Sequence, residues 1–165
     1  MNVLALADTH LPGRARQLPR QLVAELERAD VILHAGDFAT VETLEMLRQF
    51  APVRGVHGNV DEPALRQLLP RRLRFELLGR WVGLVHGDSP SLPTVQRAIA
   101  EFVDEEVDLI VFGHSHKPLL RQDRDTLLFN PGSPTDRRTE PRFSYGRISL
   151  GPNGRLIAEH VWMEA

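Results

Sequence analysis

Short apolar runs that end in Gly, Asp, Asn or His recur along the first two thirds of the chain. Residues 2–7 are apolar after the first and stop at Asp8-Thr9-His10, as expected of a buried strand feeding a loop. Residues 17–28 place Leu18, Leu22 and Leu26 at four-residue spacing and leave Arg16, Arg20, Glu25, Glu27 and Arg28 for water, which predicts an amphipathic helix. Residues 30–36 repeat the strand pattern before Asp37. Thr40 then caps a helix expected to reach about Phe50, with Val41, Leu44 and Leu47 on one face and Glu42 in the first turn. Residues 52–57 form a third strand, broken by Gly58-Asn59-Val60-Asp61. Strand, helix, strand, helix, strand is the order of parallel pairing with right-handed crossovers.

The pattern then changes. After a short helix over residues 63–69, residues 74–78 and 81–85 flank Gly79-Arg80 and predict an antiparallel hairpin whose second arm ends at His86-Gly87-Asp88. A helix from Pro93 to about Glu105 carries Val95, Ile99, Phe102 and Val103 as its apolar stripe. The strand 108–112 runs into Gly113-His114-Ser115-His116. If that segment stays extended, both imidazoles project to one side with their Cα atoms roughly 6 to 7 Å apart. Strands over 126–129, 143–150 and 156–163 follow, with turns at Pro131-Gly132 and 151–154. Alternating units followed by hairpins predict an α/β fold: two mixed sheets packed face to face with helices on the outer faces, a four-layer α-β-β-α sandwich in a single domain over residues 1–165.

Composition narrows the function. The chain is 42% hydrophobic and 25% charged, ordinary for a globular domain. With 22 acidic and 20 basic residues it has net charge −2, so the basic surplus that favours nonspecific nucleic-acid binding is missing. Cysteine is absent, which excludes disulfides and thiolate metal sites and leaves imidazole, carboxylate, amide and water as ligands. No run reaches membrane-spanning length, and the apolar stretch over residues 3–7 is too short for a signal-peptide core. A cytoplasmic protein is expected; a homo-oligomer is neither required nor excluded.

Asp8, His10, Asp37, Asn59, His86, His114 and His116 all lie where apolar strands stop. In open α/β sheets, loops from separate strands converge beyond the carboxyl ends, so this recurrence predicts one shared site. The set is too large for one catalytic metal that must also hold water, and it suits two metals sharing a carboxylate, for which Asp37 is the candidate. Two divalent ions roughly 3.5 to 4 Å apart clamp a phosphate ester and acidify water, the chemistry of phosphoester hydrolysis. His34 is read either as support for the site or as a packed core histidine, His57 and His160 as structural, and Asp61 as the cap of the next helix.

The motifs Asp8-Thr9-His10, Gly36-Asp37, Gly58-Asn59-Val60-Asp61, His86-Gly87 and Gly113-His114-Ser115-His116 closely resemble those of the calcineurin-like metallophosphoesterases, over residue 3 to about residue 133. The small size and Asn130-Pro131-Gly132-Ser133 look like the compact bacterial and archaeal phosphodiesterase branch. The resemblance implies that Asp8, His10 and His116 bind one ion, that Asn59, His86 and His114 bind a second, and that Asp37 bridges them. It also implies that Asp37, Asn59 and His86 act most directly in attack by a metal-bridging hydroxide on a small phosphodiester. The ions it implies are manganese, or nickel, iron, zinc or cobalt. Gly132, Ser133 and Arg137, with Arg138 beside it, are candidates for substrate contact. Many members carry His directly after the Asn, and this chain has Val60, so activated aryl esters are expected to turn over better than alkyl esters. A phosphomonoesterase is the alternative within enzymes. A non-catalytic scaffold is the alternative outside them, since the retromer subunit that shares this fold acts mainly as one.

Overall fold

A computed structural model describes residues 1–164. The strands are β1 (Val3–Leu6), β2 (Val31–His34), β3 (Val53–Gly55), β4 (Arg72–Leu77), β5 (Arg80–Val85), β6 (Leu109–Phe112), β7 (Leu119–Asp123), β8 (Thr126–Asn130), β9 (Phe143–Leu150) and β10 (Leu156–Met163). The helices are α1 (Arg20–Leu26), α2 (Val41–Arg48), α3 (Pro63–Leu68) and α4 (Thr94–Ala100). Two five-stranded sheets form, ordered β10-β9-β1-β2-β3 and β4-β5-β6-β8-β7. Each is mixed, with β1, β2 and β3 parallel in the first and β5, β6 and β8 parallel in the second.

The layers follow from alternation along the strands. In β1, Val3 and Ala5 join Leu33, Leu84, Leu109 and Val111 in the core between the sheets. Leu4 and Leu6 point the other way, into a cluster with Leu22 and Leu26 of α1, Leu44 and Leu47 of α2, and Leu65 of α3. On the far side, Ile110 and Phe112 of β6 meet Ala98 of α4 and Phe102 beyond it. Each fully buried Leu, Ile or Phe contributes about 1.5 to 3 kcal/mol relative to exposure. Both faces of β1, β2 and β6 are covered, which is why these strands read as unbroken apolar runs. This is the four-layer α/β sandwich that the alternation predicts.

Several local expectations are corrected. The first hairpin turns on Leu78-Gly79 rather than Gly79-Arg80: both have positive φ, 53° and 73°, as a two-residue turn between twisted strands requires. β7 goes unpredicted because it is a polar edge strand, Leu-Leu-Arg-Gln-Asp, largely exposed and paired only with β8. The helix expected to reach Glu105 ends at Ala100 and passes into turns. Thr40 does cap α2, its hydroxyl accepting from the Thr43 N–H at 3.4 Å. Asp61 does not cap α3, whose N-cap is Glu62, and its carboxylate serves the site instead. Among the described residues no helix is long and apolar enough to cross a membrane.

Candidate metal centre

All six parallel strands end on the same side of the sandwich, and five of them deliver residues of the expected set. β1 leads to Asp8 and His10, β2 to Asp37, β3 to Asn59, β5 to His86 and β6 to His114 and His116. The sixth, β8, ends in Asn130, whose side-chain amide donates to the Gly113 carbonyl at 3.0 Å and to Ser115 Oγ at 3.1 Å, bracing the histidine loop. That loop is not extended, contrary to the sequence expectation. His114 and His116 have φ of 70° and 58°, and Asp8, His10 and Asp37 are left-handed as well, at 55°, 44° and 60°. Such conformations cost of order 1 to 3 kcal/mol each and persist only where the surroundings over-determine them, typically at functional sites.

Asp8, His10 and His116 form the first group. His10 Nε2 stands 3.1 Å from His116 Nε2, and these nitrogens lie 3.9 and 3.5 Å from Asp8 Oδ1. His116 Nδ1–H donates to the Asp136 carbonyl at 2.5 Å, which fixes the tautomer and leaves the Nε2 lone pair facing the site. Burial holds His116 down to about 4 and also lowers His10, so both rings are neutral and available as ligands.

Asn59, His86 and His114 form the second group. The Asn59 side-chain oxygen lies 3.1 Å from both His86 Nε2 and His114 Nδ1. His86 Nδ1–H donates to the Ala35 carbonyl at 2.7 Å, and its Nε2 faces Asp37 Oδ2 at 3.1 Å. The close approach depends on glycines. At Gly36, with φ of 92°, a Cβ would lie 2.8 Å from His86 Nδ1, and at Gly58 one would lie 2.1 Å from Asp37 Oδ1.

Asp37 stands between the groups through one of its two oxygens. Oδ1 accepts the Val60 N–H at 3.1 Å, whereas Oδ2 faces His86 and lies 3.6 Å from His10 Nε2. Asp8 also reaches both sides: Asp8, His10 and His116 converge to within 4.8 Å, and so do Asp8, Asp37 and His86. Asp8 Oδ1 accepts the His114 N–H at 3.2 Å, while Oδ2 is buried with no hydrogen-bond partner among the described residues.

The electrostatics are those of a crowded acidic pocket. Burial pushes Asp8 up to about 7, with the charge of Asp37 adding to the rise. Burial also opposes ionisation of Asp37, but the hydrogen bond and charge of His86 outweigh it and hold Asp37 below the usual carboxylate range. Burial alone would depress His86; its bond to Asp37 and the two carboxylate charges instead raise it to about 9. A proton on His86 thus offsets the carboxylates, a role that a bound cation would take over in its place. Two carboxylates, an amide oxygen and imidazoles, two of them fixed by backbone carbonyls, suit hard or borderline divalent ions, and Asp8 Oδ2 is a buried oxygen without a hydrogen bond among the described residues.

Supporting residues brace these loops, and of them only Thr135 carries no sequence signal of its own. Asp61 accepts from Asp37 N–H at 3.1 Å, Ala39 N–H at 2.7 Å and Gly58 N–H at 2.7 Å, locking the second and third ligand loops together. His34 is fully buried, accepts the Gly36 N–H on Nδ1 and therefore donates from Nε2 to Thr9 Oγ1 at 3.1 Å; burial lowers it to about 3. Thr135 donates to the Thr9 carbonyl at 2.6 Å. His160 donates to the Asn130 carbonyl at 2.8 Å, a structural bond.

The expected substrate contacts are placed differently. Gly132 is buried with its N–H donating to Asn130 Oδ1, and the buried Ser133 hydroxyl donates to the Asp8 carbonyl at 2.7 Å, so both brace the site. The Arg137 guanidinium donates to the Glu140 carbonyl at 2.6 Å and lies over Phe143, turned toward its own loop.

Comparison with known proteins agrees with this architecture. The profile of the calcineurin-like phosphoesterase superfamily domain matches residues 1–151. A probable metallophosphoesterase of Methanothermobacter thermautotrophicus is 35% identical over 149 residues, covering 90% of this chain and 86% of its own. One from Methanocaldococcus jannaschii is 37% identical over 137 residues, 82% of this chain and 69% of its own. Among solved structures, Entamoeba histolytica Vps29 complexed with zinc superposes with TM-score 0.77 at 24% identity, over 98% of this chain and 99% of that one.

Proposed function

The chain belongs to the calcineurin-like phosphoesterase superfamily, and from that premise we propose that it is a binuclear metal-dependent phosphodiesterase. The observation that carries this reading is the convergence of Asp8, His10, Asp37, Asn59, His86, His114 and His116 at one end of the sandwich, with Asp37 Oδ2 between the two groups. Asp8, His10 and His116 would hold one divalent ion and Asn59, His86 and His114 the other, with Asp37 shared between them; manganese is the favoured ion. When bound, such ions supply Lewis acidity toward phosphate oxygens and make a water acidic enough to attack at neutral pH.

The chain's own residues do the positioning. Ala35 and Asp136 orient the two best-buried imidazoles of the ligand set, and Asp61 holds the Asp37 and Asn59 loops in register. Val60 contributes only its N–H, to Asp37, while its side chain is 49% exposed beside the site and has no proton to give. The leaving group must then depart without a protein acid on that side, which favours esters whose leaving groups are already stable anions. A small aryl-type phosphodiester, handled in the cytoplasm, is the substrate class that follows.

The alternatives are a phosphomonoesterase and, given the Vps29 likeness, a scaffold without turnover. The complete ligand set favours catalysis. The test is a metal-reconstituted assay of bis(p-nitrophenyl) phosphate against p-nitrophenyl phosphate with manganese, nickel, zinc and magnesium. Metal-dependent turnover that is faster on the diester is expected; turnover confined to the monoester, or none with any ion, would overturn the proposal.

A further inference from the structure

We infer that Arg138 binds a second phosphate of the substrate at the His10 and His116 side of the site, so that the phosphodiester taken there carries a further phosphate beyond the scissile one. The inference rests on the hydrolytic reading above. The loop leading to Arg138 is clamped to the site at successive points. Ser133 Oγ donates to the Asp8 carbonyl at 2.7 Å, Thr135 Oγ1 to the Thr9 carbonyl at 2.6 Å, and the Asp136 carbonyl accepts from His116 Nδ1 at 2.5 Å. The Asp136 carboxylate lies 3.4 Å from Arg14 Nε, and the Arg14 N–H donates to the His10 carbonyl at 2.9 Å. Two residues past Asp136, Arg138 is exposed with φ of 49°, and among the described residues it makes no hydrogen bond or ion pair. A guanidinium without a partner is thus carried on a left-handed backbone beside a candidate ligand ring, while its neighbour Arg137 is turned away onto Glu140.

The charge distribution agrees. The positive charge of Arg138 acts on Asp8, His10 and His116. Because Arg138 stands outside the ligand ring, it meets the part of the substrate beyond the scissile phosphate, and a guanidinium fork matches a phosphate in bidentate geometry. On the Asn59 side, the Arg66 guanidinium is already engaged by the Asn59 and Asp61 carbonyls and the exposed Val60 side chain offers no charge, so the leaving group, uncharged until it departs, belongs there and the second phosphate on the retained half.

The test compares binding of thymidine 3′,5′-bisphosphate and thymidine 5′-monophosphate to the manganese-loaded protein by calorimetry, in the parent, Arg138→Gln and Arg138→Lys forms. Hydrolysis of the p-nitrophenyl ester of thymidine 5′-phosphate is followed alongside. The parent should prefer the bisphosphate by about tenfold, the size of one charge-assisted contact. Arg138→Gln should bring the two ligands to within about threefold, and Arg138→Lys should restore part of the difference. Equal binding of both ligands by the parent, or a preference that survives in Arg138→Gln, would overturn the inference. Absence of turnover with the preference present would overturn the proposed function and uphold Arg138 as the residue that binds the second phosphate.

Discussion

The His10 and His116 side of the site is closed and pinned, whereas the other side is open at Asn59 and His114, with only His86 buried and anchored to a backbone carbonyl. His116 is buried, anchored through Nδ1 to a backbone carbonyl and stacked on His10 with ring centroids 5.0 Å apart. His114 is only partly buried, and its ring leans on Asn59, which is itself exposed. A pre-oriented imidazole gives up little entropy when it binds an ion, and an unanchored one gives up more. The closed side should therefore be the tighter half and the open side the exchangeable half through which substrate enters. Asp37 belongs to both, and Asp8 reaches toward both.

The largest effect is expected where the halves meet. Asp37→Asn keeps the shape and removes the charge that offsets two cations; steady-state assay should show at least about a 10³-fold loss of kcat/KM, or about 4 kcal/mol, with an unchanged circular dichroism spectrum. Near-parental turnover would mean that Asp37 is not shared. The comparison is sharpened next by His116→Ala against His114→Ala. Equilibrium dialysis should show the first weakening retention of the tighter ion by about 10- to 100-fold, the range for losing an oriented ligand or its support. The second should affect only the weaker ion; equal losses would erase the distinction between the halves.

A smaller gain is expected from Val60→His, which adds a proton donor on the open side. Alkyl phosphodiester hydrolysis should rise by about 10- to 100-fold while aryl ester hydrolysis changes by less than about threefold, since general acid catalysis matters most for poor leaving groups. A uniform rise on both would show that the new ring acts otherwise.

The smallest effect concerns His34, beneath both halves. It is neutral in the fold at about 3 and ordinary, at 6.5, when unfolded, so the unfolded chain takes up its proton first. The stability tied to its neutral form is complete above pH 6.5 and is lost as pH falls through that value toward 3. Urea unfolding at pH 7 and pH 5 should show a smaller drop for His34→Gln than for the parent protein, and an equal drop would assign the acid sensitivity elsewhere.

Much of this was legible in the sequence because burial on both faces leaves an unmistakable trace. Apolar runs such as Leu109 to Phe112 mark the strands, and the polar residues at their ends are the ones that converge in the candidate site. What stayed hidden depends on direction rather than identity. Nothing in Gly113-His114-Ser115-His116 says that both histidines sit at positive φ, so an extended reading was natural. Asp61 looks like a helix cap because it stands just before a helix with Pro in its first turn, yet two backbone N–H groups from the Asp37 loop and one from its own loop claim its oxygens. Ser133 and Gly132 looked like phosphate donors until their partners within the fold were visible, and adjacent Arg137 and Arg138 can be told apart only once the loop has a shape.

The most direct measurement is to titrate manganese into metal-stripped protein while following bound ion and bis(p-nitrophenyl) phosphate hydrolysis in the same samples. The account predicts two ions bound per chain, the first tighter than the second, with activity appearing only as the second site fills. Full activity at one equivalent, or hydrolysis that does not depend on the ion at all, would contradict it.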